Sequence, residues 1–426
     1  MKRTLLLPAV LGLPLLLHAT TIGELFDALK NHPQTRADEV LIRQAENGME
    51  KAYAKLYPDI TLFASYDHYN TPTGMLPVPP NELLPMVKNK EEPQPFSKDI
   101  SRLGVTVGMP LFVKSIFTYA DKAKKMQQSA RLKKRINLLK NEAIIVGANA
   151  NLRYLEAMQK ALRSKRASLQ KTKSFINLKV KSGRAPKSAL FKINDGLSQV
   201  NIALNNIAIG KTKAIETIDA LTGIHLRHAV SMHQKKTLHE GEITALDPLK
   251  KKLEADRLEL KAQKEKLYPS LFLKGSYVKS FADAYNNDKS IDEAYSDIGV
   301  ALKVPLYPKS QYAAIDHSRL ALQKSRLELK KEELSLQAQA NRLKSVLPML
   351  EASVKLYKDS VADKKRLLKI AKVAYQSQRM STEDYLKYED DLVTQEAKLH
   401  EAEAKKWQTL MQLAVIYTNP IEEIVK

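Results

Sequence analysis

The side chains best suited to chemistry in this sequence cluster between residues 225 and 239. His225, His228, His233 and His239 are imidazoles of the kind that hold transition metals. Their spacings of three, five and six residues fit no common site, and neither a cysteine nor an acidic triad stands nearby to complete a ligand set. A solvated connecting segment is the better reading. Cysteine is absent from the whole chain, which excludes disulfides, thiolate metal sites, cysteine nucleophiles and a lipidated N-terminal cysteine. No nucleophile elbow, phosphate-cradling glycine loop or His-Glu-x-x-His pattern occurs. The expectation is a protein that is not an enzyme and needs no cofactor or metal.

Charge is the next resource. Lys and Arg number 69 against 47 Asp and Glu, a net charge of +22. Such a balance suits nucleic acid. Here, however, the cations are scattered along long helical patterns and interleaved with acids, so solvated helix faces are favoured and no nucleic-acid partner is expected. One segment stands apart: Lys114 to Lys140 carries nine Lys and Arg and a single acid, Asp121. Lipid phosphates and a water-filled lumen are both surroundings that such a segment would suit.

The N-terminus reads as an export signal. Lys2 and Arg3 precede an apolar run from Leu5 to Leu17, and Leu17-His18-Ala19 offers a processing site with Thr20 as the first mature residue. A run of 13 residues is too short for a membrane-spanning helix, which needs about 20. Beyond it no stretch approaches 18 apolar residues, so any crossing of a membrane would have to be made by strands.

The elements that position these groups are written twice. Lys55-Leu56-Tyr57-Pro58 recurs as Lys266-Leu267-Tyr268-Pro269, and Ser65-Tyr66 as Ser276-Tyr277. Leu103-Gly104-Val105 recurs as Ile298-Gly299-Val300, Pro110-Leu111-Phe112 as Pro305-Leu306-Tyr307, and Ser182-Gly183-Arg184 as Ser377-Gln378-Arg379. The spacing between copies shortens between the two strands of each half, which locates a difference in loop length. Each half reads helix, strand, loop, strand, long helix, turn, helix. Helices are predicted over 22–56, 114–181 and 187–221, then over 246–267, 310–376 and 382–417. Low glycine and aromatic content agrees with a coiled-coil composition.

Periodicity carries these helices. Leu190, Ile193, Leu197, Val200, Leu204, Ile207, Lys211, Ala214, Ile218 and Leu221 alternate steps of three and four, a coiled-coil seam. In the second half Leu320, Leu327 and Leu334 form one line of sevens, and Leu322, Leu329, Leu336 and Leu343 another. Positions two apart differ by about 200° around a helix, so the two stripes predict a helix with a neighbour on each side, as in the wall of a hollow cylinder. A helix over 114–181 would be about 100 Å long, which favours an elongated tube.

Four strands alternate in the half-buried manner. Ile60, Leu62, Ala64 and Tyr66 share a face, as do Leu103, Val105, Val107 and Met109; Leu271, Leu273, Gly275 and Tyr277; and Ile298, Val300, Leu302 and Val304. Small or charged residues opposite them suit a barrel with lipid outside and water inside. The connection from Thr71 to Lys98, with prolines at 72, 77, 79, 80, 85, 93 and 95, is predicted as a long loop unable to continue a ladder. Four strands cannot close alone, since the smallest membrane barrels have about eight, so the chain must oligomerise.

Two copies of helix-strand-strand-helix-turn-helix behind a signal peptide resemble the TolC-like outer-membrane factor family, over essentially the whole mature chain. The Lys-Leu-Tyr-Pro approach to each first strand, the Gly-x-x-x-x-x-Pro-Leu-aromatic exit from each second, and the paired helical turns carry the likeness. The resemblance implies a mainly α protein with a small β part: a two-repeat helical coiled-coil tunnel through the periplasm, and four strands contributed to a trimeric 12-stranded barrel. It implies an outer-membrane channel subunit of a tripartite efflux or type I secretion system of a Gram-negative bacterium. Its partners would be outer-membrane lipid, a periplasmic adaptor and an inner-membrane transporter that supplies the energy. A periplasmic adaptor or a structural coiled-coil protein of the envelope is the alternative. Adaptors normally carry one hairpin, whereas this chain has two.

In that family the helical turns form the closed tip of the tunnel. By resemblance Tyr375 and Asp384 take the positions of a constricting tyrosine and first aspartate. The chain also departs from the pattern. The turn glycine is Gly183 in the first repeat, followed by Arg184, but Gln378 in the second. The arginine comes one position early as Arg379, the second aspartate is Lys387, and the matching first-repeat acid is Ala189. Lys387 would offset the field of Asp384, weakening a preference for cations. An exposed helix pair at i,i+3 is the equally open reading of those two. The domain expectation is 1–19 signal, 20–223 first repeat, 224–245 linker, 246–418 second repeat and 419–426 tail.

Overall fold

The computed structural model describes residues 20–426 apart from residues 90, 185 and 378, so the expected signal at 1–19 lies outside the described residues. The chain opens with α1 (Ile22–Asn31), where the Thr21 hydroxyl accepts the Glu24 N–H at 3.3 Å and Ile22, Leu25, Phe26 and Leu29 are buried at helical spacing. A single first helix is not formed. α1 stops at His32, whose backbone is extended, and α2 (Pro33–Ala54) begins at the proline. Pro33 is the cause, because proline has no N–H to donate and excludes the helical region from the residue before it. There follow β1 (Asp59–Gly74), α3 (Pro80–Lys88), β2 (Phe96–Phe112), α4 (Lys114–Lys181) and α5 (Lys187–Thr222). The second half holds α6 (Asp247–Glu265), β3 (Ser270–Asp283), β4 (Ser290–Lys303), α7 (Lys309–Gln376), α8 (Thr382–Ile416) and α9 (Ile421–Ile424).

The chain forms two compact units, and both draw on both repeats. One comprises Asp38–Lys133 and Leu246–Glu333. Its four strands make one antiparallel sheet in the order β1-β2-β3-β4, so the second strand of the first repeat pairs with the first strand of the second. Its helical stretches lie side by side. Arg131 of α4 meets Glu46 of α2 at 2.9 Å, Lys122 and Lys125 of α4 meet Glu259 and Glu254 of α6 at 2.6 and 2.7 Å, and Ser325 of α7 donates to Asp256 of α6 at 2.5 Å. The order is α2, α4, α6, α7, with α2 and α7 at the margins. Three cations of the basic segment 114–140 are therefore paired within the chain.

The other unit comprises the residues up to Ala37, Lys134–Ala245 and Leu334–Lys426. Here α5 packs on α4, Leu155 lying against Gly210 and Leu169 near Gly196. α8 bridges to α4 through Lys160–Glu396 at 3.9 Å and to α7 through Lys364–Asp391 at 2.7 Å and Lys365–Glu396 at 3.2 Å. The predicted α5 seam is buried or half-buried along its length. The deepest core gathers α1, Ile145 and Val146 of α4, Ile218 of α5, Met411 and Ala414 of α8, and the C-terminal Ile421 and Ile424. Residues 229–239 run beside that C-terminus: His233 and Lys426 exchange backbone bonds at 2.7 and 3.0 Å, and the His239 N–H donates to Asn419 at 3.0 Å.

The connection between β1 and β2 differs from expectation. β1 continues through Pro72, and the ladder breaks between His68 and Thr73 before resuming at Thr73↔Ser97 and Gly74↔Phe96. The missing proline N–H interrupts the ladder locally without ending the strand. Beyond it α3 forms, and its prolines fall near the start of a short helix or within it.

Candidate functional site

The register brings the four apolar strand faces together. Ile60↔Val107, Leu62↔Val105 and Ala64↔Leu103 are opposite across β1 and β2; Val105↔Tyr277 and Met109↔Leu273 across β2 and β3; Leu273↔Val300 and Leu271↔Leu302 across β3 and β4. Residues opposite in an antiparallel pair point the same way, so one side of the sheet is a continuous aliphatic band. It is left bare: Ile60, Leu62, Ile298, Val300 and Leu302 are all exposed. Beyond the band the exposed aromatics Tyr57, Phe112, Tyr268 and Tyr307 mark the helical end of the strands.

The reverse side is polar. Arg102 donates to Asp67 at 2.7 Å and to the Tyr69 hydroxyl at 3.3 Å, and Ser276 donates to Asp297. Lys274 and Thr106 share this face by register. Gly104 is needed here, because a Cβ in its place would come within 2.6 Å of the Phe63 ring and 2.9 Å of the Tyr277 carbonyl. At the far end of the strands the long connection folds back over the same side. Met75, Ile100, Val278 and Ala284 are buried, Ser280 donates to the Met75 carbonyl at 3.2 Å, and Asn286 donates to the Glu92 carbonyl at 2.8 Å. No helix of the described residues is long and apolar enough to cross a membrane.

The two helical turns match at a spacing of 195 residues. The Arg184 N–H donates to the Lys179 carbonyl at 2.8 Å, and the Arg379 N–H to the Ala374 carbonyl at 2.9 Å. Gly183 adopts φ +69°, the left-handed geometry that ends such helices; Gln378, its counterpart, lies outside the described residues. Tyr375 stacks on Tyr385, ring centres 4.8 Å apart and 12° from parallel, and the Tyr385 hydroxyl donates to Glu389 at 2.9 Å, which raises its pKa. That stack was not anticipated, although a tyrosine on each side of the turn was its signal. Asp384 is bound locally: the Ser381 hydroxyl, at the N-cap of α8, donates to its carboxylate at 2.6 Å and accepts its N–H at 3.0 Å. Arg379 and Lys387 are exposed.

The four histidines are not brought together as a ligand set. His225 meets Asp219 at 3.2 Å and His228 meets Glu156 at 3.1 Å, while His233 and His239 join the chain terminus as described. Among the described residues no group of three His, Cys, Asp or Glu could hold a metal. Sequence patterns gave no warning of Glu142, buried on α4 with one carboxylate oxygen lacking a hydrogen-bond partner among the described residues. Burial pushes its pKa up to about 7; the Glu422 charge adds to the effect and Lys30 opposes it.

The chain superposes on solved outer-membrane channels over nearly its full length. It matches the outer membrane protein VceC of Vibrio cholerae with a TM-score of 0.69 at 15% identity, covering 93% of this chain and 96% of that one. The CmeC outer membrane channel of Campylobacter jejuni matches with a TM-score of 0.69 at 14% identity, covering 93% and 85%. The MtrE outer membrane channel of Neisseria gonorrhoeae, in its open state, matches at 0.67 and 13%, covering 93% and 88%. No protein-family model matches the chain, and no curated protein matches it by sequence. The fold is therefore that of the outer-membrane channels: mainly α, with a small β part shared between two repeats.

Proposed function

We propose that this chain is a subunit of a TolC-like outer-membrane channel, built as a homotrimer and conducting solutes passively in a tripartite efflux or type I secretion system. The observation that carries the reading is the sheet: an exposed aliphatic band on one side, polar groups on the other, and unpaired edges at β1 and β4. Lipid tolerates no open edges, so three such sheets closing into 12 strands satisfy every ladder. The helical margins support the same closure. Leu320, Leu327 and Leu334 of α7 lie bare at one margin, and Val40 and Leu41 of α2 are exposed on the helix at the other.

The repeats, 20–223 and 246–418, supply equivalent halves of each subunit's wall, with 224–245 as their connection and 419–426 as the tail that packs beside it. The turns at Gly183–Arg184 and Arg379–Asp384 form the periplasmic tip, where Tyr375, Arg379, Asp384 and Lys387 line the constriction. Energy comes from an inner-membrane transporter reached through a periplasmic adaptor. The test is expression of the full chain, fractionation and planar-bilayer recording. A trimer in the outer membrane that conducts ions supports the reading. A monomer that is soluble without detergent, as a periplasmic adaptor or envelope coiled-coil protein would be, defeats it.

A further inference from the structure

An apolar groove of about 490 Å³ lies between α2 and α4, just below the strands. That volume falls within the range of small-molecule sites, roughly 300–1,000 Å³. Ala52, Ile116 and Met126 lie along it, and four lysines are among the residues that line it: Lys51, Lys55, Lys122 and Lys266. Lys122 is neutralised by Glu259 at 2.6 Å, and Lys266 stands 5.4 Å from the centre of the Tyr119 ring. No carboxylate of the described residues lies within ion-pair distance of Lys51 or Lys55. The groove thus offers an apolar trough with uncompensated positive charge at its rim.

Helical periodicity fixes which way it looks. Tyr53 lies two positions from Lys51 and from Lys55, and Phe117 two positions from Ser115 and from Tyr119, so each exposed aromatic stands about 200° around its helix from those four groove residues. Exposed aromatics just beyond an apolar band belong to a membrane interface. The groove therefore occupies the opposite, water-filled side. Resting on the channel reading above, we infer that this groove is a binding site for amphipathic organic anions in transit, with the acid group held by Lys51 and Lys55 and the hydrocarbon laid along the trough. Desolvated hydrocarbon supplies affinity, and the two ammoniums select the sign of the head group.

The probe is octanesulfonate, titrated calorimetrically into the full-length protein in phosphatidylcholine nanodiscs. Octanesulfonate should bind, with methanesulfonate and octyltrimethylammonium weaker by about tenfold or more. The double variant Lys51→Glu/Lys55→Glu should weaken octanesulfonate binding by at least about tenfold. A second variant guards against misfolding of the first. A Cβ at Gly48 meets nothing within 4 Å, so Gly48→Leu should keep the helix and fill the trough, with a similar loss of octanesulfonate. Octanesulfonate bound as tightly by both variants as by the parent would overturn the site. Loss of binding on enriching the nanodiscs in phosphatidylglycerol would assign the groove to a lipid head group and overturn the transit role. Calorimetry needs no conductance, so failure here is distinct from failure of the channel itself.

Discussion

The two leucine stripes of α7 differ in environment, although in sequence they are almost the same object. Leu322 and Leu343 are 7% and 2% exposed, packed inside the chain, while Leu320, Leu327 and Leu334 are 65%, 64% and 60% exposed on the other side of the helix. Both are lines of sevens of one residue type. Only one has a neighbour from the same chain, at least where Leu343 meets Leu413 and Ile416. Fully burying a leucine contributes about 1.5–3 kcal/mol, which is what each of the three would add if the proposed trimer covered it. The packed stripe stabilises the fold, and the bare one is the surface that the proposed trimer would cover.

That contrast can be broken from either side. The largest effect is expected from Leu320→Glu combined with Leu327→Glu, which should abolish the proposed trimer on native gels and in detergent chromatography while leaving helical circular dichroism intact. A trimer that survives would show that the bare stripe lies outside the interface. On the packed side Leu343→Ala should cost about 2–5 kcal/mol in denaturant unfolding, through lost transfer energy and the cavity left behind. Leu334→Ala, measured on a dissociated subunit, should cost well under about 1 kcal/mol.

The packed interior also holds a group that titrates, and this sharpens the comparison by pH. Glu142 keeps its proton to about pH 7 in the folded chain but only to 4.5 in the ordinary solvated state. Between those values the unfolded chain ionises and the folded one does not, so stability falls as pH rises from about 4.5 to 7 and then levels. Glu142→Gln should flatten that slope and gain on the order of 2–3 kcal/mol at pH 8. A melting temperature that loses the same amount between pH 5 and 8 in parent and variant would remove Glu142 as the cause. The smallest effect is expected at the second turn. With Asp384 engaged by Ser381 and Lys387 close along the helix, Asp384→Ala should change cation preference in bilayers only a few-fold, and unchanged selectivity would take Asp384 out of the constriction.

Much of this architecture was legible in residue order because it depends on period. The 3-4 seam from Leu190 to Leu221, the alternation in the four strands and the double stripe of α7 are consequences of 3.6 and 2 residues per turn, which need no tertiary information. The repeat also placed both helical turns, down to the matching bonds at Arg184 and Arg379. The break at Pro33 is legible too, since proline disfavours the helical region in the residue before it, although the periodic pattern across it predicts one element.

What the chain order could not decide was pairing between distant parts. Alternation gave each strand two faces, but only the register joined the four aliphatic faces on one side and placed β2 beside β3. Nor could it say that the β1–β2 connection would fold over the polar side, that the histidine segment would run along the C-terminus, or that Glu142 would be buried near Glu422. Each of these rests on contacts between residues far apart in sequence, whose free energy exists only once the chain has closed the loops between them.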